Sequence, residues 1–450
     1  MTERQIDLVV PLAQKATDMR ITETTDICPD RSGAVSQLIG EGLRLSDVDS
    51  TTRPGTRIST MAIRITTTPT TSCAPGPSAN QYDRHHADFS FEDLVDAYFD
   101  CRRNKRNSPT ALGFEVDLEH NLFELYEELQ NGSYQPGKIL CFIITRPKPR
   151  EVWAAEFRDR IVHHLLYNRI SPSFYASFIA DSCACIPGRG TLYGARRLDA
   201  KIRSITQNWK KRAFYLKMDL ANFFVSIDKN IVRQLLAKRI PDPWWMQLAD
   251  QVLFHDPREN YEYRGNVDMI DRVPAHKRLV NQSAQFGLPI GNLSSQFFAN
   301  VLLDALDQHI KHQLRCRHYI RYVDDFILLH EDPQWLNAAK ADIEAWLPAN
   351  LHLQVNPSKT ILQPIDRGVD FVGQVIKPWR RSTRRRSVHE AIRRTSEVSR
   401  DRLLETANSY FGLLRQASAS HHDRAQLANA LRKRGYSIKG DLTKTYRRKA

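Results

Sequence analysis

The 450-residue sequence lacks any run of about 18 or more apolar residues, so it offers no evident membrane-spanning helix. It does not open with a basic segment followed by an apolar core, and no secretory signal is visible. The location expected from these two absences is the cytoplasm. Seven cysteines are scattered, with one close pair, Cys183 and Cys185. A C-x-C without a second pair or neighbouring histidines is poor grounds for zinc; reduced cytosolic thiols explain it more simply. No internal repeat is present. Membrane spans, a disulfide-stapled secreted scaffold and a repeat array are thereby disfavoured.

Charge is not lacking. The formal net charge is +14, and it is concentrated at one end. Residues 377–450 carry 20 Lys and Arg against 6 Asp and Glu, and the remainder is balanced at 45 of each sign. Such a footprint suits a polyanion, nucleic acid first among them, or else a solvated basic tail. The apolar fraction, 41%, supports a sizeable core, and the length suggests two or three domains.

Residues 1–80 differ from the rest. They hold few aromatics and include a Thr/Ser/Pro-rich stretch at 50–78, a composition that cannot offset ordering entropy and predicts disorder. Met61 is an alternative start. Helical spacing begins at Phe91, Leu94, Val95 and Tyr98. Further helices are predicted at 118–129, closed by Asn131-Gly132, and at 156–170, 228–240, 294–314, 338–347, 388–407 and 424–434. Strands are predicted at 139–145, 214–220, on both sides of residues 324–325, and as a pair within 369–376. The expected class is α+β, with helices and strands interleaved.

Two adjacent acids, Asp324 and Asp325, lie between the apolar runs around Ile320 and Ile327. Carboxylates buried there are costly unless a cation takes their charge. Successive strand residues face opposite ways, so the two converge only at a tight turn. Asp219 ends another apolar strand that begins at Phe214. Three carboxylates within about 4 Å repel by roughly 4 kcal/mol per pair at a moderate effective dielectric. Two divalent cations would remove that penalty, and Mg²⁺ suits an oxygen-only set completed by substrate phosphates. Alone, an Asp-Asp doublet is more readily an ordinary polar turn than a catalytic pair. His163 and His164 diverge by about 100° on a helix and make a poor metal pair.

The ordered segments resemble a reverse transcriptase. Tyr322-Val323-Asp324-Asp325 resembles the catalytic hairpin, and residues 217–227, from Lys217-Met218-Asp219-Leu220, the first palm motif. Gly287-Leu288-Pro289-Ile290-Gly291 through Gln296 resembles the loop entering the palm helix. Asn356-Pro357-Ser358-Lys359 and Phe371-Val372-Gly373 resemble the later palm motifs. Arg146-Pro147-Lys148-Pro149-Arg150 and residues 157–162 resemble the fingers, and residues 409–414 the thumb. The match spans about residues 89–435 in the family's order. Ile290 stands where most reverse transcriptases have Gln, which is a mark of the diversity-generating retroelement subgroup. The long N-terminal segment departs from that subgroup's compact enzymes.

The resemblance implies a right-hand polymerase with a split βαβ-type palm and a helical thumb. It places fingers and N-terminal helices at 81–210, palm at 211–376 with a fingers-like insertion at about 241–285, and a basic helical thumb and tail at 377–450. It implies catalysis by Asp219, Asp324 and Asp325, with Leu220 joining them around two Mg²⁺ ions, for which Mn²⁺ could substitute. Lys148, Arg150, Arg158 and Lys359 would meet the triphosphate or pyrophosphate, unless they are a surface cluster and a surface salt bridge. Phe224 would gate against a 2′-hydroxyl, with Phe223 beside it; the rival role is a core aromatic. Ile290 and Gly291 would lie near the templating pair, with Gly287, Pro289 and Gln296 shaping the nucleic-acid side. Arg384, Arg385, Arg386, Arg432, Lys433 and Arg434 would track the duplex backbone.

The implied partners are template RNA, primer, deoxynucleotides and a small basic accessory protein. The implied activity is error-prone copying of RNA into DNA within a bacterial or phage retroelement. Antiphage defence with the same chemistry is the first alternative. A non-catalytic RNA-binding scaffold is the second, and the three intact acids speak against it.

Overall fold

A computed structural model of the chain describes residues 88–103, 108–145 and 148–447. The stretch expected to be disordered, Met61 within it, and Arg146-Pro147 lie outside the described residues.

The chain starts with α1 (Phe91–Arg102), α2 (Pro109–Glu115) and α3 (Leu118–Asn131). Ser90 and Asp93 form a reciprocal capping box at α1, satisfying backbone donors that would otherwise be orphaned. Gly132 closes α3 at φ 74°, a left-handed position glycine adopts without a Cβ clash. These helices pack on α4 (Phe157–Tyr175), which passes through Pro172 and outruns the expected end at 170. Strands β1 (Ile139–Ile144) and β2 (Arg150–Ala155) pair antiparallel. Only β1 was foreseen, because the prolines at 147 and 149 masked the start of β2.

Helix α5 (Thr191–Ile205), also unforeseen, leads to β3 (Phe214–Asp219). Short α6 (Phe223–Ser226), α7 (Lys229–Ala237) and α8 (Pro243–Phe254) follow. Strand β4 (Tyr261–Tyr263) then runs parallel to β1, so the segment after α8 joins the β1–β2 sheet. Buried Glu151 fastens it there, accepting from the Leu279 N–H at 2.7 Å and from Trp153 Nε1 at 3.1 Å.

Next come α9 (Leu293–Gln308), β5 (His318–Tyr322), β6 (Asp325–His330), α10 (Pro333–Leu351) and β7 (Ile361–Pro364). The predicted single helix over 294–314 ends as a π-helical turn at His309–Gln313. The four strands form one antiparallel sheet in the order β5-β6-β3-β7. With α9 between β3 and β5 and α10 between β6 and β7, this is the split βαβ arrangement.

Strand alternation sends Leu216, Met218, Phe326 and Leu328 into the large helical core. Tyr215, Ile327 and Leu329 go to the other face, against Leu198 and Ile202 of α5. That second core includes β8 (Val369–Phe371) and β9 (Gln374–Lys377), which join β10 (Arg380–Thr383) in a small sheet.

The C-terminal unit has its own core, built by α11 (Arg385–Glu397), α12 (Arg400–Leu414) and α13 (His421–Lys433). A hairpin of β11 (Tyr436–Ile438) and β12 (Thr445–Arg447) completes it. The continuous helix expected over 388–407 is instead two helices. Val398 turns extended at ψ 146° and Ser399 starts the next helix. Arg434 stabilises the break by donating to the Thr395 and Val398 carbonyls, both at 2.8 Å.

Candidate active site

β3 and β6 are registered so that Asp219 and Asp325 are direct cross-strand partners, with side chains on the same face. Tyr322 pairs with Asp325, leaving Val323 and Asp324 as a two-residue turn. Val323 sits at φ 55°, a left-handed conformation that is costly for a β-branched residue. The turn is held from both sides. Its Asp324 carbonyl accepts from the Leu220 N–H at 3.2 Å, and its Val323 carbonyl accepts from Arg321 at 3.2 Å.

Two lysines answer the acids. Lys359 contacts Asp219 Oδ1, its segment fixed by the Asn356 N–H donating to the Asp219 carbonyl at 2.7 Å. Lys217 Nζ lies 2.9 Å from Asp325 Oδ2 and donates to the Asp370 carbonyl at 2.9 Å. Its role was legible in principle: two residues before Asp219 on a strand, Lys217 must share its face.

Desolvation, then the Asp219 charge, raises the Asp324 carboxyl above its ordinary range. Desolvation pushes Asp325 up to about 6 despite Lys217. Asp325 Oδ1 is buried without a hydrogen-bond partner. Three acids gathered here, one of them keeping an orphaned buried acceptor, fit a hard cation. Among the described residues no group of three or more His, Cys, Asp or Glu forms a metal-binding cluster. The acids meet, yet each outer one is drawn onto a lysine, so they do not form the three-carboxylate set that the spacing suggested. Substrate oxygens would have to complete the shell.

Around the acids, backbone bonds tie three segments together. The Leu288 N–H donates to the Phe224 carbonyl and the Gly287 N–H to the Ile227 carbonyl, both at 2.8 Å. The Trp153 N–H donates to the Ile290 carbonyl at 2.7 Å. Asn292 bonds Ala155 N–H and Trp153 O, each at 3.1 Å. The loop carrying Ile290 is thus fastened to β2, whose first residue is Arg150, a cation that acts on Asp324. Gly291, at φ 132°, allows this approach; a Cβ there would meet the Trp153 carbonyl and Val152 Cγ1 at 3.0 Å.

The other expected residues divide. Phe223 is buried in the core while Phe224 is half-buried, so only Phe224 offers a ring. Lys148 is exposed on the β1–β2 connection, and Pro289 and Gln296 are half-buried. Arg158 is not brought to the acids: it pairs with Glu128 and stacks over Tyr134 at 5.2 Å. Arg384 pairs with Asp370, and Arg434 serves the helix break described above. Arg385, Arg386, Arg432 and Lys433 remain exposed. His163 Nδ1 lies 3.3 Å from Ser294 Oγ, in a packing contact.

Arg321 was missed altogether. It is 1% exposed, and its five N–H donors find five acceptors. Asp307 takes two at 2.8 and 2.7 Å, Ser182 Oγ one at 2.9 Å, and Asn300 Oδ1 and the Val323 carbonyl one each at 3.2 Å. A charged residue inside an apolar run was the available signal, but its partners lie up to 139 residues away in sequence.

A sequence model described as "Reverse transcriptase (RNA-dependent DNA polymerase)" matches residues 146–376, just over half of the chain. The chain belongs to the reverse transcriptase family. That family is one of RNA-directed DNA polymerases that use divalent metal ions, and the right-hand fold is the family's. The "Putative COX1/OXI3 intron 2 protein" of Saccharomyces cerevisiae is 22% identical over 295 residues, 51% of this chain and 30% of that protein. The chain thus spans under a third of that relative's length. Among solved structures, apo telomerase from Candida tropicalis is 12% identical with TM-score 0.43, covering 66% of this chain and 56% of that one. Telomerase from Candida albicans, in complex with a fragment of telomeric RNA, is 13% identical at TM-score 0.39, with the same coverages.

Proposed function

We propose that this reverse transcriptase copies a template RNA into DNA with low fidelity, in a diversity-generating retroelement. The observation that carries this reading is the placement of Ile290. Its carbonyl is fastened to β2 at Trp153, in the loop that also holds the Phe224 segment. An aliphatic side chain there has neither donor nor acceptor, where glutamine would have both. A wrong base pair then leaves no protein hydrogen bond unmade, and discrimination falls.

Asp219 and Asp324, with the Leu220 carbonyl, would hold divalent ions, Mg²⁺ foremost and Mn²⁺ in its place. Asp325 supports them from across the sheet. Such ions, when bound, supply charge neutralisation on the triphosphate and lower the pKa of the attacking hydroxyl. Lys148 and Arg150 grip the triphosphate. Lys359, which contacts Asp219, would offer its proton to the departing pyrophosphate. Phe224 presses against the sugar and excludes a 2′-hydroxyl. The exposed Arg385, Arg386, Arg432 and Lys433 follow the phosphates of the RNA–DNA duplex. A small basic accessory protein and a structured RNA are the partners of this system.

The test is primer extension on a defined RNA template with deoxynucleotides and Mg²⁺, followed by sequencing of the product. Ile290→Gln is expected to lower misincorporation about tenfold, the worth of roughly one hydrogen bond. An unchanged error rate refutes the fidelity role. Extension that persists in Asp324→Asn refutes the assigned site.

A further inference from the structure

Trp379 is 65% exposed and stands at φ 63°. Lys377 pairs with Arg380 across β9 and β10, so Pro378 and Trp379 form the two-residue turn of that hairpin. The second position of such a turn favours glycine or asparagine. Here the largest side chain is held in solvent on a backbone conformation it disfavours. The Arg203 guanidinium, on α5, lies 5.9 Å from the ring centroid.

This ring lies on a basic surface remote from the carboxylates. The loop after α5 brings Lys210, Lys211 and Arg212, all exposed, to the start of β3. Arg315 and Arg317, also exposed, precede the start of β5. β3 and β5 both end at the acids, so these loops lie at the opposite end of the sheet, some 17–20 Å away along six-residue β3. Beside Arg317, α5 and the start of β5 line an open groove of about 270 Å³ with Arg197, Lys201, Arg317 and His318. Asp181 is its buried acid, and it serves Arg197 at 2.6 Å, Lys201 at 2.8 Å and Lys311 at 3.8 Å. One anion for three cations leaves the groove positive. Desolvation, then Lys201, Arg317 and Lys311, press the His318 imidazole down to about 4. Backbone strain recurs here: Gln207, Asn208, Trp209 and Arg315 all have positive φ.

We propose that this surface is a second nucleic-acid site, which takes single-stranded nucleic acid by stacking a base on Trp379 and seating phosphates along the Arg197–Lys201–Arg317 groove. Stacking needs an unpaired base and tolerates any sequence. The wide, open groove suits a backbone better than a small anion. Two strands in an RNA-copying reaction have this chemistry, the template RNA outside the copied duplex and the new DNA. The proposal rests on the polymerase reading, but its test does not need catalysis.

The full chain is titrated with fluorescent 20-nucleotide oligo-U RNA or oligo-dT DNA, while a saturating short primer–template occupies the acids. Both the wild type and Asp324→Asn are expected to bind the probe. Trp379→Gly is chosen because it removes the ring and relieves the backbone, so its melting temperature should hold or rise. Its affinity should fall about tenfold, by the worth of one stacked base. Neutralising Arg197, Arg317 and Lys211 together should reduce the slope of log affinity against log salt by about 2. Both sets of variants should still extend the short primer. Tighter binding of oligo-U assigns the site to template RNA, and of oligo-dT to new DNA. Probe displaced by the primer–template, or unaltered affinity in Trp379→Gly, overturns the proposal.

Discussion

Replacing Arg321 by Met removes the guanidinium that joins Asp307 and Asn300 of α9 to the turn carrying Asp324. Asp307, 0% exposed, would keep only the Tyr319 hydroxyl, at 2.7 Å. Breaking one partner of such a buried pair costs about 3–5 kcal/mol, because the other charge stays desolvated. That is a large fraction of a total stability near 5–15 kcal/mol. Arg321→Met combined with Asp307→Leu removes the orphaned charge. The double variant should therefore be about 2–4 kcal/mol more stable than the sum of the single losses predicts. Activity should behave differently. The Val323 carbonyl loses its donor in Arg321→Met and in the double variant alike, so the strained turn beneath Asp324 is released in both. We expect kcat to fall at least about tenfold in each, equivalent to roughly 1.4 kcal/mol, at temperatures where both remain folded. Urea titration gives the stabilities and primer extension the rates. Single losses below about 1 kcal/mol, additive losses, or a double variant with full kcat would each refute this account.

Asp324→Asn should lower extension by about 10²-fold or more. It should also raise the melting temperature in chelator at neutral pH, because the raised Asp324 pKa means that ionisation costs the fold stability as pH rises; a lowered melting temperature contradicts this. Gly291→Ala should cost about 1–3 kcal/mol and impair extension, since its Cβ would contact the Trp153 carbonyl; differential scanning calorimetry reads the loss. Burial depresses His163 to about 3 against an ordinary 6.5, so the unfolded chain takes that proton first. Stability from this group is full above pH 6.5 and declines by up to about 1.4 kcal/mol per unit as pH falls towards 3. Urea titrations between pH 7 and 4 should show a shallower decline in His163→Asn, and an identical slope would exclude the mechanism.

Much of this protein is written locally. The Asp324-Asp325 doublet between apolar runs, the strand ending in Asp219 and the Gly-Leu-Pro-Ile-Gly loop are short patterns whose meaning depends on residues a few positions apart. Strand period and turn chemistry act at that range, so the acids, the hairpin and most helices are legible without a fold. Charge segregation, likewise, needs only counting, and it puts the basic excess in the C-terminal unit. What the linear order could not supply was the company each charge keeps. Arg158 and Lys148 look equivalent as basic residues near the fingers, yet Glu128 claims the first and leaves the second exposed. Arg384 and Arg385 are neighbours, but Asp370 claims only the first. Lys217 meets Asp325 because antiparallel register places β3 against β6. Arg321 is tolerable inside the core because α9 delivers Asp307 and Asn300 to it. Even the basic surface around Trp379 is assembled from four separate stretches that only the sheet's topology gathers at one end. The sequence by itself therefore determined which acids, turns and loops make up the candidate site. Tertiary structure decided which charges are neutralised and which are left for a ligand, because electrostatic partnership depends on distance in space and on burial, and neither follows from distance along the chain.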